Sequence, residues 1–310
     1  MSGPSGLLNL LKPPGMTSHD VVEVVRKSLP QSKVGHAGTL DPGAAGVLVL
    51  ALGKATRVME WLKGYEKLYR AEMLLGLETD THDLQGQVVA QRDASAIGLK
   101  EVEEALVRFQ GEIEQYPPAV SAKRFEGRRG YELVREGKEV PLRPIRVRIA
   151  ALRLLEFRPG PQALLRFDVH CSAGTYVRSL CRDLGQALGC GGALAFLLRL
   201  RVGPFRLEEA HTLEEWQEAV RDGRAASLVQ PLQVGLAHLP QVRVSWEAVR
   251  RAVQGQWIRL QEVRSLRPPP SGWLRLETPQ GALVALAELR GDVLVPRRVL
   301  MSQEEVEGGA

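Results

Sequence analysis

Between Gly35 and Arg57 the chain reads GHAGTLDPGAAGVLVLALGKATR, and this stretch restricts the fold more than any other. Gly35, Gly38, Pro42, Gly43 and Gly46 punctuate its first half too often for a regular helix or strand. Its second half, Val47 to Leu52, is an unbroken apolar run between Gly46 and Gly53, which predicts a buried strand. The strongly polar side chains of the loop are His36, Thr39 and Asp41. Asp41 precedes Pro42 and is therefore biased to an extended conformation. The neighbouring glycines let another chain approach closely. An Asp in a tight loop can simply bond its own backbone. It can also present a carboxylate from a fixed position, and the surrounding residues must decide between the two.

The rest of the composition sets bounds. At 310 residues the chain has room for one large or two ordinary domains. An apolar fraction of 44% and a charged fraction of 25% are those of a soluble globular protein. No apolar run approaches a membrane span, and the N-terminus does not read as a signal peptide, so the expected location is cytoplasmic. Cys171, Cys181 and Cys190 lack CxxC spacing, which argues against a zinc site or a disulfide framework. Gly53-Lys54 is followed by Ala55, so the phosphate-loop pattern fails. The net charge of +5 is modest, but its distribution is uneven. From Tyr116 to Arg153 there are ten Lys or Arg against four Glu, as in a segment that tracks phosphates.

Five segments resemble one family. GHAGTLDPGAAGVL is similar to the catalytic loop of the TruB family of tRNA pseudouridine synthases, GHxGxLDPxAxGxL. LLKPPGMTSHDVV resembles its N-terminal motif, with Leu11 in place of the usual Asp and Lys12 as a supporting residue. KLYRAEMLLGLETDTHDLQG resembles the second motif, and alternation from Lys67 to Leu75 predicts a strand that puts Tyr69, Ala71 and Met73 on one face. GTYVRSLCRDLGQALGCG resembles the third, with a helix predicted from Val177 to Leu188. The basic string PPAVSAKRFEGRRGY is also similar to the family.

The resemblance implies an α+β chain. A pseudouridine synthase fold, with a large mixed β-sheet flanked by helices, is expected over residues 1–235, with a basic RNA-docking arm at about 116–143. A small, mostly β, PUA-like RNA-binding domain is expected over 239–302, and 303–310 reads as a disordered tail. The implied activity is isomerisation of a uridine, position 55 in the T arm of tRNA, to pseudouridine. No metal or organic cofactor is expected, nor an obligate protein partner, and a monomer is anticipated.

The resemblance assigns roles residue by residue. Asp41 is the catalytic carboxylate, and Arg178 pairs with it. Tyr69 stacks on the target base, while Tyr176 and Leu197 complete the pocket. Asp83 belongs to the same substrate-binding group, and His36 occupies the space around the displaced base. Lys123, Arg124, Arg128 and Arg129 dock RNA. After Leu197 the family often has a basic residue, where this chain has Leu198. Two other readings compete. One is a glycosidase that uses Asp41 and Asp83 as its two carboxylates. The other is a non-catalytic tRNA-folding chaperone, for which Asp41 would be dispensable.

Overall fold

The computed structural model describes residues 3–30, 33–118, 124–125, 128–129, 142–263 and 272–308. Strand β1 (Gly6–Lys12) leads into helix α1 (Ser18–Lys27), which starts at Thr17 because Thr17 and Asp20 cap each other's backbone N–H groups. Strands β2 (Val34–His36) and β3 (Ala45–Leu52) flank the glycine loop. A 3-10 turn and short helix α2 (Met59–Lys63) follow. Next come β4 (Lys67–Leu75) and the hairpin of β5 (Leu77–Thr79) and β6 (Val88–Gln91). Helix α3 (Leu99–Arg108) precedes β7 (Gly111–Gln115). The short pair β8 (Arg124–Phe125) and β9 (Arg128–Arg129) lies in the basic segment. Long strands β10 (Ile145–Arg158) and β11 (Leu164–Cys171) run into α4 (Val177–Ala187), β12 (Gly192–Val202) and β13 (Phe205–Arg206). Helices α5 (Leu213–Arg221) and α6 (Leu232–Gly235) close this part.

Among the described residues nine strands form one mixed sheet, with the path β1-β3-β12-β4-β11-β10-β7. Every step along that path is antiparallel except β3 to β12, which is parallel and pairs Ala45 with Leu198 and Gly46 with Arg199. The alternation read from the sequence decides which face is covered. Tyr69, Ala71 and Met73 of β4, with Leu165 and Phe167 of β11, face helices α3 and α4 across the largest core. Opposite-facing residues are ion-paired, such as Arg70 with Asp168 at 2.8 Å and Arg166 with Glu72 at 2.7 Å. At the other end of the sheet, α1 and α5 cover β1 and β3, with Trp216 fully buried there. All three cysteines are buried and free.

The C-terminal unit is a five-stranded sheet, β14 (Gln241–Arg243), β16 (Trp273–Glu277), β17 (Leu283–Arg290), β18 (Val293–Val299) and β15 (Ile258–Arg259), in that spatial order. Helix α7 (Trp246–Val253) packs on it through Ala248, Val249 and Ala252. The unit meets the first domain through Leu286 and Leu300 against Val58 and Leu236, with Trp61 edge-on to Trp273 at 4.8 Å. One expectation fails. The segment read as a disordered tail forms helix α8 (Gln303–Glu307) instead. Ser302 and Glu305 build a reciprocal capping box, Val306 is buried, and Lys54 pairs with Glu305 at 2.7 Å.

Candidate active site

The glycine loop lies at the single parallel junction of the sheet, between β2 and β3. Its own side chains are small, so its shape is set from outside, by side chains that bond its backbone. Ser18, the first residue of α1, donates to the Leu40 carbonyl at 3.1 Å and accepts from the Leu40 N–H at 2.8 Å. Lys12 is fully buried and gives its ammonium to the carbonyls of Pro13, Met16 and Pro42 at 2.8, 2.6 and 3.2 Å. Burial pushes its pKa down to about 8, against the pull of Asp41. Arg199 of β12 is also buried and reaches the carbonyls of Gly38, Thr39 and Val47. The sequence points to Lys12 as support and to Thr17 or Ser18 as a helix cap, but not to the bonds of Ser18 and Arg199 to the loop.

The Asp41 carboxylate stands clear of the backbone and is 41% exposed. Arg178, in the first turn of α4 and nearly fully buried, donates from Nε to Asp41 Oδ2 at 2.9 Å. Its Nη1 lies 3.4 Å from Asp83 Oδ2 and donates to the Thr81 carbonyl at 3.2 Å. Asp83 is fixed in turn, since its Oδ1 accepts from the Thr81 hydroxyl at 2.7 Å and the Gln85 N–H at 3.0 Å. Asp41 and Asp83 therefore share one guanidinium. Two glycosidase carboxylates would instead stand on opposite sides of a bond.

Asp41 and Arg178 open into a cavity of about 350 Å³ that also contains Tyr69, Tyr176, Leu197 and Lys67. Tyr69 is buried, and burial raises the pKa of its hydroxyl, with Arg199 beside it opposing the rise. Lys67 donates to the carbonyls of Lys63 and Tyr65 at 2.8 and 2.5 Å, and burial lowers its pKa to about 8. A smaller recess of about 70 Å³ lies on the other side of Asp41, bounded by Asp83, Leu84, Gln85 and Phe196.

Tyr176 is placed from the far edge of the sheet. The side chain of Gln115, fully buried at the end of β7, accepts from the Tyr176 N–H at 3.1 Å and donates to its carbonyl at 3.3 Å. This pairing is another feature the sequence reading missed, because Gln115 carries no chemistry of its own. Gln115→Leu is expected to cost about 1–3 kcal/mol of stability through the lost pairing of buried polar groups. Urea unfolding monitored by tryptophan fluorescence would measure it.

Not every candidate residue joins this group. His36 ends β2, is half-buried, and does not line the Asp41 cavity. Burial lowers its pKa, so it is neutral near pH 7. In the basic segment the backbones of Arg124 and Arg129 pair, as do those of Phe125 and Arg128. Lys123 lies outside the described residues. Among the described residues no three or more His, Cys, Asp or Glu are grouped to hold a metal ion. No described helix is long and apolar enough to cross a membrane.

Residues 26–177 match the N-terminal domain of the TruB family pseudouridylate synthases, and residues 178–237 match the tRNA pseudouridylate synthase B C-terminal domain. The tRNA pseudouridine synthase B of Moorella thermoacetica is 47% identical over 302 residues, which cover 95% of this chain and 99% of that protein. The chain belongs to the TruB family. The tRNA pseudouridine synthase B of Symbiobacterium thermophilum is 52% identical over 250 residues, 81% of this chain and 82% of that one. Among solved structures, a chain of the H/ACA RNP bound to a substrate RNA containing 2'-deoxyuridine aligns with a TM-score of 0.75 and 29% identity. That alignment covers 97% of this chain and 86% of the other. The archaeal box H/ACA sRNP Nop10-Cbf5 complex gives 0.74 and 27%, covering 97% and 88%. The α+β architecture with its C-terminal, PUA-like β domain is thus that of TruB-type pseudouridine synthases, and this TruB family chain is an isomerase.

Proposed function

We propose that this chain isomerises uridine 55, in the T arm of tRNA, to pseudouridine. The observation that carries the reading is the Asp41–Arg178 ion pair at 2.9 Å in the wall of the large cavity. The glycosidic N1–C1′ bond breaks, the uracil turns, and C5 bonds to the same C1′. The C5 hydrogen leaves as a proton and N1 gains one, so the product is an isomer. Asp41 acts at the sugar carbon, and Arg178 holds it ionised and aimed. A base paired or stacked in an RNA arm has to leave its stack to reach such a cavity. Tyr69 stacks on the flipped uracil, with Tyr176 and Leu197 around it and Asp83 bracing Arg178. His36 sits close enough in sequence to Asp41 to brace the vacated space. Lys123, Arg124, Arg128 and Arg129 dock the phosphate backbone, and the C-terminal domain adds RNA contacts.

The test is tritium release from transcribed tRNA labelled at C5 of uridine. Purified chain and transcript alone should release label from one T-arm uridine, as a cytoplasmic monomer without a protein partner or cofactor would. Tight tRNA binding with no release would overturn the isomerase reading and favour an RNA-folding role. Release only after a second protein is added would overturn the partner-free part of it.

A further inference from the structure

We infer that Arg199 is a positioning residue that holds the Asp41 loop in its working shape, an inference that rests on the isomerase reading above. Residues 37–44 belong to no helix or strand, and their backbone ties are scattered: the Ala37 N–H to the Val49 carbonyl at 2.9 Å, the Gly15 N–H to the Pro42 carbonyl at 2.8 Å and the Ala44 N–H to the Asp41 carbonyl at 3.1 Å. Arg199 is 1% exposed and donates from all three guanidinium nitrogens. Nε meets the Val47 carbonyl at 2.7 Å, Nη1 the Thr39 carbonyl at 3.2 Å, and Nη2 the Gly38 carbonyl at 3.1 Å. Gly38 and Thr39 come before Asp41 and Val47 comes after it. One planar group therefore ties both ends of the loop together.

The Asp41 carboxylate itself is engaged by Arg178, so Arg199 acts through the backbone. Arg199 also lies beside Tyr69, the residue proposed to stack on the base, and the two line the same cavity, so the group that ties the loop is set against the base site. Lysine could not replace it fully, because a single ammonium cannot address three diverging carbonyls as a rigid fork does. The arrangement also explains why the residue after Leu197 can be apolar. Leu198 and Arg199 point to opposite faces of the strand, and the loop lies on the side of Arg199.

Arg199→Ala and Arg199→Lys, assayed by tritium release and separately by tRNA binding, test this. Small displacements of a reacting group are costly, so kcat should fall about 100-fold for Ala and about tenfold for Lys. The Kd for tRNA should stay within about threefold of wild type, because the guanidinium is 1% exposed and its N–H groups are spent on the loop carbonyls, although it borders the cavity. Amide hydrogen exchange should quicken at residues 38–41 in both variants and stay unchanged in α4. If the Ala variant does not fold, the Lys variant decides, since it keeps the charge and most of the volume. An unchanged kcat in a folded variant would overturn the inference. So would a loss matched by weaker tRNA binding or by the unfolded fraction. A wild-type chain that releases no tritium would instead overturn the isomerase reading.

Discussion

Asp41→Asn should still bind tRNA and should release essentially no tritium, with turnover lowered by roughly 10⁴-fold or more, the scale seen when a reacting group is removed. The substitution keeps the shape of the side chain and removes its charge. The local turn does not depend on that charge, because the Ala44 N–H bonds the Asp41 main-chain carbonyl at 3.1 Å. Arg178 loses its charged bond to Asp41, yet keeps Thr81 O at 3.2 Å and Asp83 Oδ2 at 3.4 Å. The stability cost should therefore be about 1 kcal/mol, that of one charged hydrogen bond partly replaced by water. The Kd for tRNA should change by less than about threefold, or tighten, because a carboxylate facing a polyanion is gone. Single-turnover tritium release and filter binding on the same preparation separate the two effects. Near-normal release by the folded variant would remove Asp41 from the chemistry and leave it as a turn residue.

Much of this site could be read in advance, but unevenly. Asp41, Tyr69, Arg178 and Leu197 stand in strings that name them by resemblance, and the structure brings them to one cavity. Periodicity placed β4 at Lys67–Leu75, because alternation along a half-buried strand is a direct imprint of its environment. The residues that hold the loop and Tyr176 were harder to see. Ser18, Arg199 and Gln115 bond main-chain N–H and C=O groups, which are the same at every position, so nothing in the partner's identity reveals the pair. His36 is a different case. It is expected around the displaced base rather than against the target uracil, and β2, paired with β3, places it beside the loop but outside the lining of the Asp41 cavity. The misread tail is different again, since Ser302 and Glu305 carry a capping-box pattern that could have been read.

Gly46→Ala should be among the most destabilising single-atom additions in the chain, at about 3–5 kcal/mol, the range reserved for backbone strain combined with steric conflict. Gly46 has φ +115°, a conformation that L side chains rarely adopt. Its missing Cβ would stand 2.6 Å from the backbone nitrogen of Arg199 and nearer still to that residue's carbonyl oxygen. Neither backbone atom can step aside without opening the parallel junction of β3 and β12. Opening it would also shift the guanidinium that ties the loop ends, so kcat should fall together with stability. Gly43→Ala is the control within the same motif. A Cβ there would meet the amide end of the Gln85 side chain, which can swing away, and Gly43 does not have a positive φ. Its cost should stay below about 1 kcal/mol, as for a surface change that touches only a mobile side chain. Urea unfolding of the two variants side by side measures the contrast. Equal costs would mean that the junction yields easily, and that the close approach of β3 to β12 does not fix the loop.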